Sequence, residues 1–579
     1  MVIFTFDASH SLGRVRAVDT RRVNVQVNTD EDLRKARVGQ LVALALPGAI
    51  EEWLIGIIEK VIKTPVLEEQ EISQDVGADD STSMLSPRES VLNTVQLTLV
   101  GTVSLSANNK PRFSRSLVQV PEIDGTCHIL RDAQLQAFMN LLSAEGKTDH
   151  SLEIGRYTID DNAAAYLDGN KLFQRHASLL GSTGSGKSWA VAAILEQAAT
   201  LPSANLIVFD LHGEYRQLSY ARHLSVPGPE ELGKSDESLL FLPYWLLNAE
   251  ELQAMFIDRS EFSAHNQVMA FQDTVVAEKK KTLKGLEKTD VLNAFTLDSP
   301  IPFSIDAVLT ELDRLNKEMV QGSGGKDKQG LFYGQFGRLL VRLKSKISDK
   351  RYGFLFQAPA SANEYDAMAS LMKRLMDYSE QKSQIKVIDF SEVPADILPV
   401  IVGLVARIVY QVQFWTDRAK RKPLALVCDE AHMYLPKKEG ENPVEQRAIE
   451  NFEKIAKEGR KYGVALLIVS QRPSDVSPTI LSQCNNIVAL RLTNGDDQVT
   501  VKNLMPERLE GLMDSLPILD IGEALVVGDA VLLPSRIRIH PPREKPLSAT
   551  IDSWDEWSKQ PETPDFAKAV ENMRRQNRA

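Results

Sequence analysis

Two hydrophobic rhythms divide the chain near residue 150. Before about residue 105, apolar and polar positions alternate. "RRVNVQV" sets Val23, Val25 and Val27 on one face, and "GQLVALAL", "EEWLIGIIEKVI" and "VQLTLVGTVSL" continue as short β-rich runs. A period of two marks half-buried strands, so this region is read as a small barrel or sandwich. Residues 67–90 between the runs are acidic, Ser-rich and nearly free of aromatics; they are expected to form a mobile loop, and no function is assigned to them. Beyond residue 150 the alternation stops. "ASLL", "NLIVFD", "IKVIDF", "LALVCDE", "VALLIVSQ" and "NNIVALRL" are short, apolar and often β-branched. Such runs suit strands buried on both faces, and the helical stretches between them predict an α/β sheet. A largely helical, polar segment from about 225 to 380, with the break "VQGSGGKDKQG", lies between two central-strand types and is read as an insertion in one domain. "GEALVVGDAVLLPSRIRIHPP" predicts two strands around the Gly528-Asp529 turn. The tail from 541, with Trp554 and Trp557, is either an arm docking on a neighbour or a partly ordered terminus.

Composition narrows the class. A chain of 579 residues is too long for one core, so three or four domains are expected. With 43% hydrophobic and 25% charged residues it reads as an ordinary globular protein. No uninterrupted apolar run reaches the ~18 residues of a membrane span, and the start does not read as a signal peptide; a cytoplasmic protein without a membrane partner is expected. Cys127, Cys428 and Cys484 lie far apart without metal-ligand spacing and are read as reduced and structural. The net charge of -11 argues against a surface coated for nucleic acid, though not against a local basic channel.

The chemistry is carried by "GSTGSGKS", which fits G-x-x-x-x-G-K-[ST] between an apolar strand and the helical run "WAVAAILEQAA". Only about 0.01 accidental matches are expected in such a chain, so a nucleotide site is the reading. Its binding segment is Gly181, Ser182, Thr183, Gly184, Ser185, Gly186, Lys187, Ser188 and Trp189. The glycines let backbone N–H groups face phosphate oxygens, Lys187 reaches the terminal phosphates and Ser188 ligates Mg²⁺; ATP and Mg²⁺ are the expected cofactors. "RKPLALVCDEAHMYLP" ends a strand in Asp429, the metal-side carboxylate, and Glu430, the general base. A Glu after the Asp favours hydrolysis over transfer to a metabolite. Gln471, at the end of "VALLIVSQ", is a γ-phosphate sensor or else a solvent-facing strand end. Arg460 is either an arginine finger for a neighbouring subunit or a basic residue favoured by its helix dipole. Asp210 and Glu214 in "IVFDLHGEY" are candidates to orient water or Mg²⁺. Lys437 and Lys438 are candidates for DNA contact in a pore, or a solvated charge pair.

These segments, in order behind a β-domain, resemble the HerA family of hexameric ATPases within the HerA and FtsK group of DNA-pumping motors. The resemblance covers the ATPase core closely, the N-terminal domain by pattern and the insertion by position alone. It implies a RecA-like P-loop core with an N-terminal β-barrel and a helical insertion. The expected division is barrel and linker 1–148, core 149–225, insertion 226–380, core 381–540 and extension 541–579. It further implies a homohexamer with ATP at subunit interfaces, the Arg460 finger and the Gln471 sensor. Duplex DNA would occupy the central channel. A partner nuclease or sirtuin-like NAD-degrading effector would sit at the barrel face, in DNA-end processing or antiphage defence. The alternative is a hexameric scaffold that uses nucleotide to regulate an effector without translocating DNA; a small-molecule kinase is a distant third.

Overall fold

The computed structural model describes residues 4–46, 52–67, 89–106, 108–117, 119–234, 236–321, 326–377, 385–437, 443–505, 510–547, 553–560 and 565–575. Nearly all of the acidic segment 67–90, and Lys438, lie outside them. The chain divides into two units, one of residues 1–172, 180–187 and 485–540, the other of 173–179, 188–484 and 541–579.

The first unit opens with seven strands: β1 (Ser11–Asp19), β2 (Arg22–Val27), β3 (Leu41–Ala45), β4 (Trp53–Leu67), β5 (Glu89–Leu105), β6 (Pro111–Ser114) and β7 (Thr126–Ile129). They run in the order β2-β1-β7-β3-β4-β5-β6, and a further β2–β5 pairing closes six of them into an antiparallel barrel. Closure removes the exposed edges that an open sheet would leave. The alternating valines do what the pattern requires: Val15, Val23, Val25 and Val27 fill the interior with Leu97, Leu99, Ile58 and Cys127. The barrel reading therefore holds over the sandwich. Bulges at Ile55/Gly56 and Ile58/Lys60 break the register of the long β4–β5 pair, the kind of local irregularity that bends a sheet toward closure. The same unit holds an antiparallel ladder of β18 (Asn486–Leu490), β19 (Glu523–Gly528), β20 (Ser535–Ile539), β8 (Ser151–Tyr157) and β9 (Asp160–Asp168), in that order.

The second unit carries β10 (Ala177–Leu180, of which 177–179 belong here), β11 (Leu206–Asp210), β12 (Arg222–Ser225), β15 (Ile385–Asp389), β16 (Leu424–Cys428) and β17 (Val464–Ser470), ordered β12-β15-β11-β16-β17-β10. The pairs β12–β15, β15–β11, β11–β16 and β16–β17 are parallel. Every residue of β11, β15, β16 and β17 is buried, which is why these strands read as unbroken apolar runs. The helices Lys187–Ala198, Leu398–Trp415 and Pro443–Tyr462 fall between successive strands, as parallel crossovers require.

The insertion leaves after β12 and returns at its neighbour β15, so the ladder accommodates it without rearrangement. It is built from Ala249–Phe256, Ala264–Gly285, Ile305–Lys317, Gly337–Ser348, Ala367–Met376 and the hairpin β13 (Met319–Gln321) and β14 (Asp327–Gln329). Buried Glu251 anchors it, bonding Arg407 of helix Leu398–Trp415 at 2.7 Å and Asn451 of helix Pro443–Tyr462 at 3.3 Å. Helix Leu398–Trp415 is long and apolar enough to cross a membrane, and 78% of its residues are buried within the protein. The connection between β19 and β20 spans 529–534 rather than a tight turn at Gly528-Asp529. In the tail, Trp554 and Trp557 stand 80% and 77% exposed on the short helix Ser553–Ser558.

Candidate nucleotide site

Within the first unit, the chain leaves β10 into the glycine-rich loop. A Cβ on Gly181 would lie 2.6 Å from Ser185 Oγ and 2.8 Å from Leu490 Cβ, and Gly186 has φ +101, so both positions require glycine. The loop is held from behind: Ser182 N–H donates to Arg491 O at 2.9 Å, Thr493 N–H to Ser182 Oγ at 3.2 Å, and Gly522 N–H to Ser185 O at 3.1 Å. Ser185 is fully buried and Lys187 is 7% exposed, whereas Thr183 and Gly184 are exposed. The helix Lys187–Ala198 begins at the lysine, so its first free N–H groups and the positive end of its dipole stand at the loop. Such a loop has the features that anion-binding helix N-termini use.

In the second unit, the acids sit where parallel strands end. Asp429 and Glu430 follow β16 directly and are 5% and 9% exposed. Burial pushes the Asp429 carboxyl well up from its usual range, and the neighbouring charges of Glu430, Glu214 and Asp210 push it further. Glu430 occupies the left-handed region at φ +44, which costs a non-glycine residue about 1 kcal/mol or more. Its Oε2 lies 3.3 Å from His432 Nδ1, which lies 3.4 Å from Ser470 Oγ at the end of β17. Asp210 ends β11 and is fully buried. Its Oδ1 accepts from the N–H groups of His212, Gly213 and Glu214 and its Oδ2 from Tyr215, at 2.8–3.2 Å. Asp210 thereby shapes the loop that presents Glu214, whose buried Oε2 has no hydrogen-bond partner among the described residues.

Residues 152–409 match the family model "Helicase HerA, central domain". Over those residues the chain is similar to the central domain of the HerA helicases. It is 25% identical over 453 residues to the DNA double-strand break repair helicase HerA of Saccharolobus solfataricus, covering 78% of this chain and 79% of that one. It is 26% identical over 420 residues to the protein of the same name from Pyrococcus furiosus, covering 67% and 69%. Among solved structures, VirB4 of Thermoanaerobacter pseudethanolicus aligns at TM-score 0.43 and 17% identity over 68% of this chain and 97% of that one. The core is a P-loop α/β domain of an ATP-hydrolysing enzyme, in a chain that also holds an N-terminal barrel.

Around this core, Gln471 follows β17 and is half-buried, and Ser188 and Trp189 open the helix after the loop, half-buried and 36% exposed. Lys437 is exposed, and its N–H donates to Asp475 O at 2.7 Å, tying the loop after β16 to the one after β17. Arg460 is exposed near the C-terminal end of helix Pro443–Tyr462. Among the described residues no three His, Cys, Asp or Glu side chains form a metal cage. Mg²⁺ needs none, since it keeps waters and binds through one or two carboxylates plus phosphates, and the hard oxygens of Ser188 and Asp429 suit it.

Three residues escaped the sequence reading. Asp389 ends β15 in register with Asp210 and pairs with Arg216 at 2.5 Å; a third apolar run ending in Asp was its signal. His432 stands in "DEAH" beside the proposed base. His176, just before β10, accepts from Leu466 N–H at 2.9 Å and lies 3.1 Å from Ala456 O, and burial lowers it to about 4. It is a neutral clamp.

Proposed function

We propose that this chain is an ATP-driven DNA translocase whose sites are completed by adjoining copies of itself. The observation that carries the reading is the separation of Arg460 from its own acids. Gly463 N–H bonds Arg460 O at 3.4 Å, and Gly463 O accepts from Leu424 N–H at 2.8 Å, so the arginine lies by the amino end of β16. Asp429 and Glu430 follow its carboxyl end. Five residues at 3.3 Å each put about 17 Å between the two levels. An exposed guanidinium so placed serves a neighbour's triphosphate rather than its own.

In this reading the backbone of 181–186 and Lys187 hold the phosphates, with Trp189 alongside. Mg²⁺, held by Ser188 and Asp429, would neutralise charge on the β- and γ-phosphates. The Glu430 carboxylate takes the proton of the attacking water, and Gln471 contacts the γ-phosphate. Copies assemble as a homohexamer around duplex DNA, with the loop at Lys437-Lys438 lining the channel. The division into barrel 1–148, core 149–225 and 381–540, insertion 226–380 and extension 541–579 gives each part its task. The barrel face receives a nuclease or NAD-degrading effector, in the cytoplasm, for antiphage defence or DNA-end processing. The relatives named as double-strand break repair helicases support the DNA reading.

Mixing tests it. Lys187→Ala and Arg460→Ala are each expected to lack duplex-DNA-stimulated ATPase activity, and a mixture of the two to regain a measurable fraction, because some clefts then combine an intact loop with an intact arginine. No recovery, with oligomers and subunit exchange verified by mass, sinks the shared-cleft reading.

A further inference from the structure

The phosphate loop does not stand on its own backbone. Its support on one side is the turn Asp520-Ile521-Gly522-Glu523, in the same unit. Glu523 N–H closes the turn on Asp520 O at 3.1 Å, and Gly522 has φ +78, the left-handed value that the third residue of a type II turn demands. Both backbone groups of Gly522 are committed: its N–H donates to Ser185 O at 3.1 Å, and its O accepts from Ile539 N–H at 2.9 Å. A Cβ on Gly186 would sit 3.4 Å from Gly522 Cα, so a side chain at Gly186 would press on the turn.

The turn is fixed by one carboxylate. Glu523 is 2% exposed, at the head of β19 and opposite Arg538 of β20. Its Oε2 accepts from Arg536 Nε at 2.9 Å and from Asp520 N–H at 3.2 Å, and its Oε1 from Arg538 Nη2 at 3.0 Å. Burial alone would raise this carboxyl; the bonds from Arg536, Asp520 and Arg538 bring it below the usual carboxylate range. A buried carboxylate with this many donors has one orientation, and the residue on its amino side, Gly522, is the one whose N–H meets Ser185.

We infer that Glu523, with Arg536 and Arg538, is a positioning residue for the phosphate loop: it fixes Gly522 so that the Ser185–Lys187 backbone keeps the curvature a triphosphate requires. The inference rests on the reading of that loop as the nucleotide cradle. Losing the carboxylate frees the turn, and the loop must then be ordered by the nucleotide, which weakens binding. The hydrolytic groups Glu430 and Asp429 are untouched, so the saturated enzyme still turns over.

The full-length protein, titrated with a fluorescent ATP analogue and assayed for ATPase, tests this. Glu523→Ala is expected to raise Kd and KM about tenfold while kcat falls less than about threefold, the pattern of lost uniform binding. Glu523→Gln keeps the volume and one acceptor oxygen, so it is the fold-safe variant and is expected to show about a threefold rise. Gly522→Ala has open space for its Cβ yet strains a positive φ, and is expected to raise Kd in the same direction. Folding is followed by melting temperature. A folded Glu523→Gln and Gly522→Ala that both bind like wild type overturn the inference. Failure of the wild type to bind the analogue overturns instead the nucleotide reading on which it rests.

Discussion

The loops after β11 and β16 begin alike and end differently. The two strands are adjacent and parallel, with Phe209 opposite Cys428, and each is followed or closed by a buried aspartate at the next register position, Asp210 or Asp429. Asp210 receives four backbone N–H groups. Asp429 receives one, from Glu430 at 3.0 Å, and faces three other carboxylates. Burial and Asp389 raise the Asp210 carboxyl, but its four N–H bonds oppose that rise and shape a loop. Asp429 has one backbone N–H and the Tyr215 hydroxyl against three carboxylates, next to a residue held at φ +44, and buried charges of that kind persist where a cation or substrate supplies what the fold withholds. Position on the sheet thus does not assign the chemistry; the hydrogen-bond accounting does.

Substitutions at the two loops separate these roles. The largest effect belongs to Glu430→Gln, which keeps size and removes the proposed base: kcat is expected to fall about 10²–10⁴-fold with ATP affinity nearly unchanged. A loss of binding instead, read by nucleotide titration, would reassign Glu430 to the cradle. Asp210→Ala comes second and acts through the fold. It strands four N–H groups in a buried loop, and a cost of about 2–4 kcal/mol is expected in chemical denaturation. An Asp210→Ala protein as stable as wild type but catalytically dead would erase the contrast, placing Asp210 with Asp429.

Much of this was legible beforehand, for a physical reason. A phosphate cradle needs glycine where Gly181 meets Ser185 and Leu490, so its spacing survives in the sequence as a motif. Strands buried on both faces must be apolar throughout, so β11, β15, β16 and β17 announced themselves, and the period-two valines announced the barrel. The division of labour among the acids was not legible. "IVFD", "IKVID" and "LVCDE" carry the same local signal. What distinguishes them is the backbone that follows, where Gly213 at φ +72 helps turn the N–H groups back on Asp210, and distant partners such as Arg216 for Asp389. The supports of the phosphate loop were hidden likewise, since Thr493 reaches Ser182 across 311 residues of chain.

The smallest effect is the one whose sign decides the comparison. Asp429 has its carboxyl raised in the folded state, so the native protein binds that proton more readily than the unfolded chain does. Stability from this group is therefore greatest at low pH and declines as pH rises through the ordinary carboxylate range toward the raised value. At neutral pH without divalent cation the native state carries a penalty, which Asp429→Asn removes while keeping the shape. The variant is expected to be inactive yet more stable by about 1–2 kcal/mol, as follows when a functional site stores destabilisation. Thermal melts in chelator, repeated from pH 5 to 8, check this: the difference between variant and wild type should grow with pH and shrink on adding Mg²⁺. A variant less stable than wild type throughout would mean that Asp429 is compensated within the fold as Asp210 is.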